Sequence, residues 1–340
     1  MVHDTLKDCR GNERDMSRVL FSLAGNFRQT LSIIPRGTAA DAINACLKAS
    51  STLWPDVKRR VLTTNMRARV SGDPSALEFS RLLLMLGKGR VQPDQDGRIG
   101  FPANYFNMVK SLLELKNKVF LDIQRKYADG PNSYYAWLCE RAILAPTNRA
   151  VNAINANMIN EIPGQVHTYT SVDTTTDMDD AVDFLNSFKK STAFLTPSHK
   201  VKLKVGTPII LLRNLDAPKL CNGTQLGIKK CMPHVIEATI LAGCAKGEDV
   251  FIPRIPLIHD DKNPPLHFKR LQFPVRISFP MTINKSQCQS LQVVGINLEK
   301  PCFSHGQLYV ACSRVGSPQN LYILALENKT VNVVYQNALQ

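Results

Sequence analysis

Nine cysteines are present, yet no two stand at C-x-x-C spacing, and the seven histidines form no paired cluster. That excludes the usual zinc ligand sets and a disulfide framework, and it fits a reducing compartment. No apolar run approaches the ~20 residues that span a bilayer, so no membrane partner is expected. The opening stretch, "MVHDTLKDCRGNERDM", is polar and charged and does not read as a secretory signal; an intracellular, nuclear location is expected. Acids are few: 28 Asp and Glu stand against 42 Lys and Arg, a net charge of +14. An excess of that size favours a polyanionic partner, nucleic acid above all, over a basic but otherwise ordinary enzyme. There is no G-x-x-x-x-G-K-[ST] loop and no Asp-Glu dipeptide, so the common phosphate cradle and its metal acids are missing.

What is present is a core-forming chain, 44% hydrophobic over 340 residues. "SRVLFSLAG" (17–25) and "RRVLTTNMR" (59–67) read as strands running into polar residues. "TAADAINACLKAS" (38–50) reads as a helix with Thr38 as N-cap and Asp41 in its first turn. Residues 75–86 and 104–121 carry helical spacing. "RAILAPTNRAVNAINANMINEI" (141–162) predicts a strand, a turn at Pro146 and a helix with Val151, Ile154, Met158 and Ile159 on one face. "LKVGTPIILLRN" (203–214) predicts one buried strand. "VDTTTDMDDAVDF" (172–184) reads as a solvated acidic loop rather than a metal site, since nothing fixes its geometry. From 223 to 274 short alternating pieces broken by Gly and Pro suggest a small β barrel. Helical spacing returns after 282, and the C-terminal stretch alternates strand and helix. The whole predicts an α/β fold with a largely parallel sheet and an inserted middle piece.

Four polar clusters mark the apolar runs: Gly25–Gln29, Thr64–Arg67, Thr282–Gln287, and Ser313-Arg314 after a helix-like run. In open α/β sheets ligands bind beyond the carboxyl ends of strands. Arg28, Arg67 and Arg314 supply guanidinium forks suited to phosphate.

"LAGNFRQTLSIIPRGTAADAINACLKAS", "LTTNMR", "TINKSQCQSL" and "HGQLYVACSRV" resemble, in order, the third to sixth motifs of Pif-type DNA helicases of superfamily one, particularly the forms carried by Helitron-like transposons. "LKVGTPIILLRNLD" and "LCNGTQL" fit the joining segments, so the resemblance covers nearly the whole chain. It implies RecA-like lobes of the P-loop NTPase type that hydrolyse ATP with Mg and move five-prime to three-prime on single-stranded DNA. The implied divisions are 1–57, the remainder of a first lobe; 58–222 and 275–340, a second lobe; and 223–274, a barrel of Src-homology-three type. It implies that Gln29 senses the γ-phosphate and that Arg67 and Arg314 are arginine fingers. It implies Thr282, Asn284 and Lys285 at the DNA backbone and Gln287 nearer the nucleotide.

Against the family pattern, the loop that holds the phosphates is missing. In "LGKGR", Lys88 precedes Gly89 rather than Ser or Thr, and Leu82 stands where the first glycine belongs. The expectation is therefore a helicase portion that begins past the acidic motif, needs a preceding motor half, and binds neither ATP nor Mg tightly by itself. The alternatives are a non-catalytic module that grips single-stranded DNA and a decayed transposon remnant. Asn26 stands at the family's Asp, and Cys288 at its Gly. If the backbone at 288 has positive φ, a cysteine there costs roughly 1 kcal/mol or more; if it is helical, cysteine is tolerated.

Overall fold

The computed structural model describes residue 9 and residues 22–339, apart from 33, 35, 36, 50–53, 56, 65, 67–73, 103, 104, 176–196, 263 and 264. The chain divides into two units. One comprises residues 1–99, 302–313 and 331–340, the other 100–301 and 314–330.

In the first unit Thr38 and Asp41 close a capping box, each side chain bonding the other's backbone, ahead of helix α1 (Ala39–Asn44). Helix α2 (Pro74–Gly87) buries Ala76, Phe79 and Leu86. Gly87-Lys88-Gly89 sits at the end of α2, where Gly89 takes φ +64°. A phosphate loop precedes a helix, where the backbone N–H groups point at the anion; the end of α2 presents carbonyls instead.

The second unit holds a five-stranded sheet. Its strands are β1 (Asn107–Met108), β2 (Arg141–Ala145) and, much later, β13 (Pro280–Thr282), β14 (Val293–Leu298) and β15 (Leu321–Ala325). The order is β13-β2-β14-β15-β1 and every pairing is parallel. Ala142, Ile143, Leu144 and Ala145 of β2 are fully buried, as a central parallel strand covered on both faces must be. Helices α3 (Leu112–Val119), α4 (Ile123–Ala128), α5 (Pro131–Cys139) and α6 (Asn148–Glu161) follow in chain order. Thr147 caps α6 by accepting from Ala150 N, and Val151, Ile154, Met158 and Ile159 are all buried. Leu115, Tyr134, Ile143, Ile154 and Phe279 belong to one core.

Between β2 and β13 the chain becomes antiparallel: β3 (His167–Thr170), β4 (Val172–Thr175), β5 (Lys200–Leu203), β6 (Pro208–Leu211), β7 (Gln225–Cys231), β8 (Val235–Ile240), β9 (Asp249–Pro253), β10 (Ile255–Lys262), β11 (Pro265–Gln272) and β12 (Val275–Ile277). One sheet runs β9-β8-β7-β6-β12, a second β10-β11-β4, and β3 pairs with β5. Leu203, Ile209, Leu226, Ile236, Ile252 and Phe273 form a second core. Gly227 of β7 lies under the Tyr135 ring, which a Cβ would meet at 2.3 Å, and Tyr135 Oη donates to Ile228 O at 2.8 Å.

The expected single strand over 203–214 is two strands, β5 and β6, parted by a turn. There Gly206 takes φ +85° and Thr207 Oγ1 accepts from Lys204 N. Apolar periodicity alone could not see that turn. Residues 59–64 and 22–25 are in no strand: they have no ladder partner among the described residues, and hydrophobicity without a neighbouring edge does not make a strand. The rest of those two expectations lies outside the described residues. The helix expected over 104–121 begins only at Leu112, where Ser111 accepts from Glu114 N. Directly after 282 comes a 3-10 turn, Ile283–Ser286, and the expected return of helix is met further on, at Gln307–Cys312. Of the acidic stretch 172–184, the first four residues are β4 and the remainder lies outside the described residues. No group of His, Cys, Asp and Glu among the described residues could hold a metal, and no described helix is long and apolar enough to cross a membrane.

Candidate nucleic-acid interface

In the second unit, Thr282 ends β13 and pairs in register with Ala145, the last residue of β2. Both strands are parallel, so the polar residues that follow each of them emerge at one carboxyl edge of the sheet. From β2 come Thr147 and Asn148, the cap and first residue of α6. From β13 comes the turn Ile283–Ser286, which carries Asn284 and Lys285, with Gln287 closing it at ψ 144°. The Thr282 hydroxyl is buried and has no hydrogen-bond partner. A buried hydroxyl left unpaired is a costly feature.

Two cations stand together at this edge. Burial and the neighbouring Arg276 lower the Lys285 pKa to about 8. Arg276, itself depressed by burial, donates from Nη1 to Asn148 Oδ1 at 3.1 Å. Arg276 and Asn148 were missed in the sequence, though "APTNRA" after β2 shares the Thr-Asn pair of "LTTNMR". That repetition was the available signal.

Arg314 is 6% exposed. Its Nη1 donates to Ser286 O and Gln289 O, both at 3.0 Å, and its own carbonyl accepts from Leu291 N. It therefore braces the loop after the 3-10 turn. Within that loop Cys288 is exposed and takes φ +64°. The left-handed case is thus the actual one, and a β-carbon is strained there. Cys288→Gly should raise stability by about 0.5–1 kcal/mol, the strain relief exceeding the entropy lost on ordering glycine. Urea denaturation of parent and variant measures this; an unchanged or lower midpoint contradicts it.

In the first unit, Gln29 closes a turn held by Asn26. Gln29 N donates to Asn26 O, and Arg28 N donates to Asn26 Oδ1, at 3.0 and 3.1 Å. Asn26 Nδ2 donates to Tyr309 Oη at 3.1 Å, from helix α7 (Gln307–Cys312). A carboxylate at 26 would serve the turn equally but could not donate to Tyr309. His305 fixes the turn from beneath. It is fully buried, its Nδ1 accepts from Tyr335 N at 2.8 Å, and its Nε2 donates to Phe27 O at 2.7 Å. With Nδ1 taken as acceptor, the proton sits on Nε2, and burial holds the imidazole pKa below its ordinary value. Gly306 follows with φ +70°, and a Cβ there would lie 2.4 Å from Arg28 O. The sixth-motif sequence thus presses on the backbone that positions Gln29, a relation across more than 270 residues with no local sequence signal. Gln29 lies in the first unit, and Thr282, Asn284, Lys285, Gln287 and Arg314 in the second. Arg67 lies outside the described residues.

Residues 3–97 match the family described as PIF1-like helicase, and residues 183–230 match the DNA helicase Pif1, 2B domain. The ATP-dependent DNA helicase PIF6 of Trypanosoma brucei brucei is 30% identical over 135 residues, 38% of this chain and 17% of that protein. The human ATP-dependent DNA helicase PIF1 is 27% identical over 52% of this chain and 26% of its own length. The Candida albicans PIF1 is 22% identical over 97% of this chain and 42% of its own length. The chain thus spans less than half of each of these relatives. The crystal structure of the Candida albicans Pif1 helicase shares its fold, with a TM-score of 0.64 at 21% identity over 99% of this chain and 71% of that one. Parts of the sequence resemble Pif1 helicases, and the fold is similar to theirs.

Proposed function

We propose that this Pif1-like chain is the strand-gripping portion of an ATP-dependent DNA helicase, moving five-prime to three-prime on single-stranded DNA when joined to a complete phosphate site. The observation that carries the reading is the carboxyl edge of the parallel sheet. There the Thr282–Lys285 turn, with an unpaired buried hydroxyl and two half-buried cations, stands beside the start of α6. Thr282, Asn284 and Lys285 take the DNA backbone in this reading. Gln287 lies toward the nucleotide, and Gln29, Arg67 and Arg314 respond to its phosphates, with Mg supplied alongside ATP. The sequence has no G-x-x-x-x-G-K-[ST] loop, and in this reading the chain by itself holds ATP and Mg weakly. The segments 58–222 and 275–340 are read as one lobe; their parts within the second unit share the sheet β13-β2-β14-β15-β1, whereas 58–99, 302–313 and 331–340 fall in the first unit. The antiparallel strands within 223–274 are read as the inserted barrel of Src-homology-three type. A nuclear location and descent from a Helitron-like element fit a DNA partner and the motif sequences.

The test is fluorescence anisotropy on two unrelated single-stranded oligonucleotides. Affinity should fall steeply with salt and differ little between sequences. Lys285→Ala should weaken both complexes alike and reduce the salt slope by about 1, as loss of one phosphate contact does. The Lys285 pKa adds a second signature. Only the ammonium attracts phosphate, so affinity should fall between pH 7 and pH 9 as the group titrates near 8. In Lys285→Arg that fall should disappear, since guanidinium stays charged. The folding sign is opposite. A lysine whose folded pKa lies below its unfolded value opposes folding at low pH, and the cost is relieved as pH rises through 8. Lys285→Met should therefore raise the thermal midpoint at pH 7 while weakening binding. A flat salt response in the parent, or a Lys285→Ala variant with the parent's slope and affinity, overturns the assignment.

A further inference from the structure

The first unit carries a group of side chains that the Gln29 turn does not use. The Phe27 and Trp54 rings meet edge to face, centroids 6.0 Å apart at 89°. Lys48 Nζ lies 4.3 Å from the centre of the Phe27 ring and 6.0 Å from that of Trp54. The Arg59 guanidinium carbon lies 5.4 Å from the Trp54 ring. Arg28 follows Phe27 in the chain and, with Arg59, is close enough to press electrostatically on the Lys48 ammonium.

Among the described residues the charge here is one-sided. Lys48 Nζ donates to the neutral carbonyl of Ala338 at 3.1 Å, and no described carboxylate pairs with Lys48, Arg28 or Arg59. Burial, Arg59 and Arg28 all push the Lys48 pKa down. Like charges gathered without a counter-charge repel one another, and an anion brought among them removes that repulsion. The rings between the cations are only partly buried, so a flat surface lies beside the charge. A ligand that answers both features has an anion and an aromatic face a few ångströms apart, which is the chemistry of a nucleotide unit.

We propose that Trp54, Phe27, Lys48, Arg28 and Arg59 form a second contact for single-stranded nucleic acid, with a base on Trp54 and its flanking phosphates on the cations. The inference rests on the reading that the chain binds strands, and it adds a site in the first unit to the Thr282–Lys285 turn of the second. Phosphate contacts give the site its salt dependence and stacking gives it tolerance of sequence, because every base has a face to offer.

Trp54 is one of only two tryptophans, and Trp137 packs against the core of the second unit, stacked near Tyr134. Binding can therefore be read at the site itself. The full chain is titrated with an oligothymidylate while intrinsic emission and anisotropy of a labelled strand are followed together. The expected result is quenching that saturates at the anisotropy midpoint, is lost in Trp54→Phe with strand affinity kept, and weakens with salt. Trp54→Ala and Lys48→Ala should each lower strand affinity, Trp54→Ala by about ten-fold. An abasic deoxyribose-phosphate strand should bind without the full quench. ATP and inorganic phosphate should not quench at strand-saturating concentrations. Strand binding with Trp54 emission unchanged overturns this site and leaves the strand-binding reading standing. Saturable quenching by ATP but not by the strand makes it a mononucleotide site and also overturns the proposal. No anisotropy change even at low salt overturns both readings.

Discussion

Arg270→Ala should lower stability by about 3–5 kcal/mol, the cost of leaving one partner of a buried ion pair alone. Arg270 is wholly buried in β11, and its Nε and Nη2 donate to the two oxygens of Asp173 at 2.9 and 2.8 Å. Its Nη1 donates to Pro197 O at 3.0 Å. Asp173 also accepts from Ser171 Oγ at 2.6 Å and lies 3.4 Å from His199 Nδ1. Burial pushes its pKa up, but the Arg270 and Ser171 bonds outweigh that and leave it below the ordinary carboxylate value. A carboxyl whose folded pKa is depressed stabilises the fold above its unfolded pKa, and the contribution is lost as pH falls through the folded value. Asp173 precedes and Pro197 follows residues 176–196, so one guanidinium ties the chain on either side of that stretch. Removing it strands a buried carboxylate and frees both ties. Chemical denaturation measures the loss. The double variant Arg270→Met with Asp173→Asn should recover a large part of it, because no buried charge then lacks a partner. A loss below about 1 kcal/mol in the single variant would mean that water or His199 compensates.

Arg314→Ala should lower ATP turnover by about 10³-fold in a form of the protein that hydrolyses ATP, the scale set by arginine fingers. Its buried position adds a second effect. The side chain now bonds Ser286 O and Gln289 O; its removal takes that donor from Gln289 O, while Ser286 O keeps Gln289 N, and should cost about 1–3 kcal/mol of stability. The two effects separate two roles. A residue that acts only on phosphate would lose turnover with the thermal midpoint unchanged. One that only braces the loop would lose stability and strand affinity together, with turnover recovering at saturating strand. Loss of turnover that saturating strand does not restore, with a lowered midpoint, is the expected pattern. Turnover within a few-fold of the parent would remove Arg314 from the nucleotide response.

The local parts of this architecture were legible. Thr38 and Asp41 three residues apart gave the capping box of α1, and the apolar residues from Val151 to Ile159 gave the buried face of α6, because both depend on neighbours within a turn or two. The question at residue 288 was also well posed by sequence: either backbone conformation was possible for a cysteine, and only coordinates could choose. What was not legible depends on distant partners. Arg276 meets Asn148 across 128 residues, and Arg314 meets Ser286 across 28. "RRVLTTNMR" has a strand's composition, yet residues 59–64 find no edge to join among the described residues. "LKVGTPIILLRN" breaks at Gly206 because Lys204 and Thr207 close a turn that hydropathy does not register.

The first unit is assembled from both halves of the chain. Gly306 N donates to Val333 O, Asn332 Nδ2 to Leu86 O, and Lys48 Nζ to Ala338 O. During synthesis on the ribosome this has an order to it. The second unit's sheet is complete once Leu321–Ala325 has emerged, whereas α1, α2 and the Gln29 turn wait for Tyr335 and Ala338. Chain-terminal contacts of such long sequence separation form late and slowly. A chain truncated after residue 330 and released from the ribosome should therefore protect Ile143 and Ile296 from hydrogen exchange while leaving Leu86 and Phe27 open. The unit that holds Gln29 would become competent after the unit proposed to grip the strand.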